Sequence, residues 1–141
     1  MRAISVQQPW AFAIARGAKT VSNRPEPTSY RGPVLVHASM RVDLTACDSA
    51  LVRSAGWDAS DPLATIGAVI ALAELTAVCP GSPCECGPWA DAGAFHWTLD
   101  DVRPLPRPVV ALGRTDLWEP SASLVTTIRT MLAPAALRRS P

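Results

Sequence analysis

At 141 residues, 48% hydrophobic and 18% charged, the chain has the size and composition of one globular domain. That balance excludes wholesale disorder; no stretch reaches the length of a membrane helix and residues 1–9 hold no apolar leader, so a soluble, cytoplasmic protein is expected. The net charge of +1 hides an uneven distribution, +5 over residues 1–41, −8 over 42–101 and +4 over 102–141, and basic ends adjacent in space would suit a phosphate-bearing partner.

Ile4 and Val6 alternate with polar neighbours and predict an opening strand. Pro9 stands where a first-turn proline belongs, residues 10–16 read as a helix, and Gly17 stops it. Residues 34–37 predict a second strand behind Arg31-Gly32-Pro33. Asp43 caps a helix expected to reach about residue 55, where Gly56 ends it. Residues 66–78 form a long β-rich run, 79–94 a loop dense in Cys, Pro and Gly, and 95–99 and 108–112 two further strands. Ser121 caps a last helix with Leu124, Val125, Ile128, Met131 and Leu132 on one face, and the chain from Pro134 reads as a frayed tail. No repeat and no long linker divides the chain, so one domain over 1–133 and a flexible tail over 134–141 are expected. Strands outnumber helices without regular alternation, which predicts an α+β fold, a mixed curved sheet or barrel with flanking helices.

Reactive groups are densest in residues 17–24, Gly-Ala-Lys-Thr-Val-Ser-Asn-Arg, just past a helix end that gives them a rigid support. Lys19 is the single lysine among 13 basic residues. Arginine does not release its proton in a protein, whereas a desolvated lysine can, so Lys19 is a candidate base or tuned donor. Arg24 and Arg31 can grip phosphate, and Trp10 and Tyr30 can stack a base, although a tryptophan on the first turn of an apolar helix also suits the core. His37 ends an apolar strand and fits either a ligand contact or a structural role.

Taken in order, Gln8-Pro9-Trp10-Ala11, Gly17-x-Lys19-Thr20-Val21-x-Asn23-Arg24, Tyr30-Arg31-Gly32-Pro33 and Val36-His37-Ala38-Ser39 resemble the signature of the ASCH family of the PUA-like superfamily. Ile66-Gly67-Ala68, Trp97 with Leu99, and Gly113-x-x-x-Leu117-Trp118 continue the likeness to about residue 119. The resemblance implies a PUA-like barrel with a cleft beside the Gly-x-Lys-Thr segment, in which Thr20 also contributes, and binding of RNA, single-stranded nucleic acid or a modified nucleoside. Many relatives carry a glycine where this chain has Asp116, a departure that alters the turn and sets an acid near the cleft's mouth. Some small ASCH proteins resemble amidohydrolases that deacylate N4-acetylcytidine with a lysine, a hydroxyl and a glutamate. The first two positions correspond to Lys19 and Ser22, a pair three residues apart that can converge in a turn, the lysine taking the hydroxyl proton. The acid does not transfer cleanly: Glu74 is the choice carried forward, with Glu85 and Asp91 as substitutes, and a nuclease-like RNA-processing enzyme is a related reading.

No motif calls for an organic cofactor. Cys79, Cys84 and Cys86 fall within eight residues and can wrap a structural zinc with Cys47 or His96 as fourth ligand, but the spacing is not that of a standard finger or ribbon, and Pro/Cys-rich loops also arise without metal. An interaction domain using this loop and the C-terminal helix is a third functional class.

Overall fold

A computed structural model describes residues 1–80 and 86–133. Cys84, Glu85 and the tail expected over 134–141 lie outside the described residues. The elements are β1 (Arg2–Gln8), α1 (Trp10–Ala15), β2 (Val21–Arg24), β3 (Gly32–Val42), α2 (Ala50–Ser54), β4 (Ala68–Cys79), β5 (Phe95–Val110), β6 (Leu117–Trp118) and α3 (Ala122–Leu132), with single 3-10 turns at Ala46–Asp48 and Pro62–Ala64. The strands form one six-stranded sheet in the order β2-β5-β4-β3-β1-β6, curled into a half-barrel. β1 and β3 run parallel and every other pair is antiparallel, the mixed α+β arrangement that the strand-rich pattern predicts.

Period-two alternation divides the core between the sheet's two faces. Ile4, Val6, Val34, Val36 and Ile70 point to the face covered by α1, where Ala11 and Ile14 meet them. Ala3, Leu35 and Val69 point to the other face, where α3 contributes Ile128 and Met131 and β5 contributes Leu105. Leu124 and Leu132 join that second cluster, so the apolar stripe read from the sequence is the face of α3 that packs.

Three elements differ from their predicted form, the first through local capping and the other two through strand pairing. The helix expected from Asp43 to about residue 55 is two pieces: Asp43 Oδ1 accepts from Ala46 N–H at 3.1 Å to cap the 3-10 turn, and Ser49 Oγ accepts from Val52 N–H at 3.2 Å to start α2 afresh. The strands expected at 95–99 and 108–112 are one strand, β5, with register shifts against β4 that absorb Asp101 at φ 48°. Ser22 lies not in a turn but on β2, which pairs residue by residue with β5, Ser22 opposite Trp97 and Asn23 opposite His96.

Pro9 precedes the helix instead of opening it, and Gln8 does the capping. Gln8 is fully buried; its Oε1 accepts from Phe12 N–H at 2.9 Å, while its Nε2 donates to the carbonyls of Leu63 and Thr65, both at 2.8 Å. At the other end Gly17, at φ 79°, takes the left-handed conformation that glycine adopts without a Cβ penalty. Asp116 sits at φ 61°, where Asp is among the few tolerated side chains, so it keeps a glycine-like turn and adds a charge to it.

His37 is 2% exposed and belongs to the packing beside α3. Its Nε2 donates to Ala111 O at 2.7 Å, Ser5 Oγ donates to its Nδ1 at 3.1 Å, and Trp118 Nε1 donates to Ser5 Oγ at 3.1 Å. Gly113 closes over this chain so tightly that a Cβ there would overlap the His37 ring and stand 2.6 Å from Ser5 Oγ. Gly113→Ala is expected to displace the ring, break the chain of hydrogen bonds and cost about 2–3 kcal/mol in urea unfolding.

Candidate functional site

The helix stop at Gly17 sets up the site. Once the chain reverses, Ala18 N–H and Lys19 N–H both donate to Ala13 O, at 3.1 and 3.0 Å, so the end of α1 fixes the Lys19 backbone. The Lys19 side chain then runs inward and is 4% exposed. Its Nζ lies 5.3 Å from the Trp10 ring centre and 5.4 Å from that of Trp89, and donates to Trp89 O at 3.4 Å. The two rings meet edge to face, 6.3 Å apart at 89°. Lys19 has no carboxylate within salt-bridge distance among the described residues; burial, opposed by the more distant charge of Asp91, lowers its pKa from 10.5 to about 8.

These groups line a cleft of about 460 Å3, with Ser22, Arg24 and Asp91 among its walls. Ser22 is 3% exposed, held there by the pairing of β2 with β5. Arg24 lies 5.2 Å over the Trp97 ring and donates to Ser5 O at 3.1 Å; its pKa is lowered by burial and partly restored by Asp116, which faces it across a smaller cavity of about 140 Å3. Asn23 ties the wall to the sheet: its Nδ2 donates to Trp89 O at 2.9 Å and its Oδ1 accepts from Asp91 N–H at 2.9 Å.

Five of the residues singled out from the sequence meet here: Trp10, Lys19, Ser22, Arg24 and Asp91. The other five do not line the cleft. Thr20 exposes its side chain and uses its carbonyl to accept from Leu99 N–H at 2.8 Å. Tyr30 donates to Pro33 O at 2.7 Å, lies under Arg2, and has its hydroxyl pKa raised chiefly by burial. Arg31 is exposed and returns both its hydrogen bonds to the local carbonyls of Thr28 and Tyr30. His37 is enclosed in the packing beside α3. Glu74 sits on β4 opposite Pro33 and Asp100 and puts its charge on Tyr30, so it is not positioned as the acid partner of Lys19. The carboxylates that do line the cleft are Asp91 and Asp43, and the cleft is accordingly less basic than the charge pattern predicts. Within the described residues the N-terminal and C-terminal segments meet where β1 pairs with β6, but there Arg2 is paired with Glu119 at 3.4 Å. Trp89 is the main residue that sequence reasoning passed over; it lies in a Pro/Gly-rich stretch without periodicity, and only its bulk marked it.

No family model matches the sequence, and neither does any curated protein. The coordinates, however, superpose on the crystal structure of ASCH from Zymomonas mobilis with a TM-score of 0.57, covering 90% of this chain and 92% of that one at 16% identity. The chain has the ASCH fold. Two of the motifs that resemble the ASCH signature fall at the elements that build the cleft: Gln8 to Ala11 at the start of α1, and Gly17 to Arg24 from the helix stop through β2. Among the described residues no helix is long and apolar enough to cross a membrane.

Proposed function

We propose that this cleft binds a single nucleobase, as a nucleoside or as one unstacked nucleotide of an RNA. The observation that carries the reading is a desolvated lysine bracketed by Trp10 and Trp89 in a cleft of about 460 Å3, within the range of about 300–1,000 Å3 typical of small-molecule sites. Aromatic surface suits a base, while Lys19, Ser22 and Asp91 offer a donor, a hydroxyl and an acceptor for its edge. The ASCH fold supports the reading, since that family is generally linked to RNA binding. With Arg31 outside the cleft, phosphate has only Lys19 and Arg24 to meet there.

A second reading has its own observation. A lysine with a pKa of about 8 is partly neutral near physiological pH and can accept the Ser22 hydroxyl proton as the oxygen attacks an acyl carbon. The base would leave with its exocyclic amine reprotonated, and water would then cleave the acyl-serine ester to release the acid. Asp91 is the acid nearest in role to the one that the amidohydrolase resemblance requires.

Cytidine, N4-acetylcytidine and short single-stranded RNA, titrated separately against tryptophan fluorescence, test both readings. Saturable binding is expected, and for RNA a log–log salt slope no steeper than about −1.4, the value for two single-strand phosphate contacts. Ser22→Ala should retain binding and abolish any release of acetate. Absence of binding to all three ligands at millimolar concentration would remove the proposal.

A further inference from the structure

On the far side of the cleft wall, Cys79, Cys86 and His96 bring two sulfurs and one imidazole nitrogen within 4.8 Å of one another. His96 is 3% exposed, and its two nitrogens are in different states. Nε2 lies 2.6 Å from Asp91 O, which can only accept, so Nε2 carries the proton and Nδ1 presents a lone pair. That Nδ1 is buried and has no hydrogen-bond partner among the described residues. A buried acceptor without a donor is costly, and one held beside two cysteine sulfurs, with its other nitrogen fixed by a carbonyl, has the outer bonding of a metal-ligating histidine.

We propose that Cys79, Cys86 and His96 Nδ1 form a site for Zn2+ when the cysteines are reduced. Both cysteines are disulfide-bonded in this structure. A thiol reductant supplies two electrons and two protons per disulfide and leaves as its own disulfide; Zn2+ then displaces one proton from each of the two thiols. Bonds of about 2.3 Å to sulfur and about 2.0–2.1 Å to nitrogen put neighbouring ligands on a tetrahedral ion about 3.5–3.8 Å apart. The cluster's 4.8 Å limit brackets that spacing. Mixed thiolate and imidazole donors favour zinc over magnesium or calcium. Of the two fourth ligands that the sequence offers, His96 is in the cluster, whereas Cys47 is a free thiol bonded to Asp43 O at 3.5 Å.

The position of the site gives it a role. Cys79 and His96 are paired across β4 and β5, so an ion there would pin Cys86 to these two strands, and β2 lies alongside with Asn23 opposite His96. The next residues along, Trp89 and Asp91, are bonded to Asn23, Lys19 and His96 and form the cleft wall. Zinc loading would hold that wall in place.

The full chain, reduced anaerobically and stripped by chelator, is to be titrated with Co2+ as a spectroscopic probe and then with Zn2+. One ion per chain is expected, with sulfur-to-cobalt charge transfer that Zn2+ abolishes, a shift of the His96 Nδ1 15N resonance, and slower amide exchange at residues 89–91. His96→Gln and Cys79→Ser should each weaken Zn2+ binding by at least about tenfold, because even outer-shell changes cost about 10–100-fold, and Cys47→Ser should leave it unchanged. A reduced wild-type chain without thiolate charge transfer, or a His96→Gln chain that binds Zn2+ as tightly as wild type, overturns the proposal. If either substitution unfolds the chain, an unshifted Nδ1 resonance in the zinc-saturated wild type overturns it equally.

Discussion

Lys19→Met is expected to abolish ligand binding in the cleft and at the same time to stabilise the protein at pH 7. Both effects come from the same burial. The folded chain holds an ammonium between Trp10 and Trp89 with no carboxylate at salt-bridge distance among the described residues, which lowers its pKa from 10.5 to about 8. Each unit of such a shift corresponds to about 1.4 kcal/mol of cost to the charged form, and two cation–π contacts of about 0.5–1 kcal/mol each already weigh against that cost. Methionine fills a similar volume without the charge, so a net gain of about 1–2 kcal/mol is expected.

The pH dependence separates this cause from generic repacking. Below about pH 8 both folded and unfolded lysine are protonated, and the folded state bears the full penalty. Between about pH 8 and 10.5 the folded lysine loses its proton while the unfolded one keeps it. The unfolded state then binds more protons, so the stability of the wild type rises with pH through that window. Lys19→Met lacks this rise, and its advantage should shrink steadily towards pH 10.5. Urea unfolding at pH 7 and pH 10 reads the difference; a variant less stable than wild type at pH 7, or an advantage unchanged at pH 10, would contradict the account. Turnover, if the cleft has any, should increase about tenfold per pH unit below about 8 and level off above it, since it needs the neutral amine.

What the sequence revealed of this site follows the range of the interactions involved. Gly17 was legible as a stop because helix termination is local, and Lys19 stood out because it is the one lysine in the chain. Ser22 was legible as a hydroxyl near that lysine but not as a strand residue, because β2 exists only through pairing with residues 95–98, more than seventy positions later. The same distance hid the choice of acid: Glu74 lies in a conspicuous strand, whereas Asp91 reaches the cleft through a loop held by the Asn23 side chain. The sequence divides β5 into strands at 95–99 and 108–112, and the stretch between them holds Pro104 and Pro106, which read as breaks. The register shift between Val69 and Ala71 of β4 falls across Pro104 to Val109, so the ladder is already interrupted where these N–H groups are missing, and β2 pairs with β5 only as far as Thr98. Asp116 was legible as a departure, but not as one that keeps the left-handed turn.

Gln8→Leu is expected to be the most destabilising single change outside the apolar core, at about 3–5 kcal/mol. The side chain is fully buried and makes three short hydrogen bonds, all to backbone groups: Phe12 N–H in the first turn of α1, and the carbonyls of Leu63 and Thr65 at the turn that precedes β4. Leucine matches the volume and satisfies none of them, and each backbone group left unpaired in the interior costs about 1–3 kcal/mol. Gln8→Glu should lose most of that stability too, since it keeps an acceptor for Phe12 but sets a carboxylate oxygen against two carbonyls. In urea the midpoint should fall with the slope unchanged, because the surface exposed on unfolding is the same. A loss below about 1 kcal/mol would mean that water replaces the amide, and the residue would then not be the clamp described here. Gln8 holds α1 in place, and the Ala13 carbonyl in the last turn of α1 anchors Lys19. Ligand affinity in the Gln8 variants should therefore fall even under conditions where they remain folded, whereas Gly113→Ala, which perturbs the packing around His37 beside α3, should lower stability with little effect on affinity.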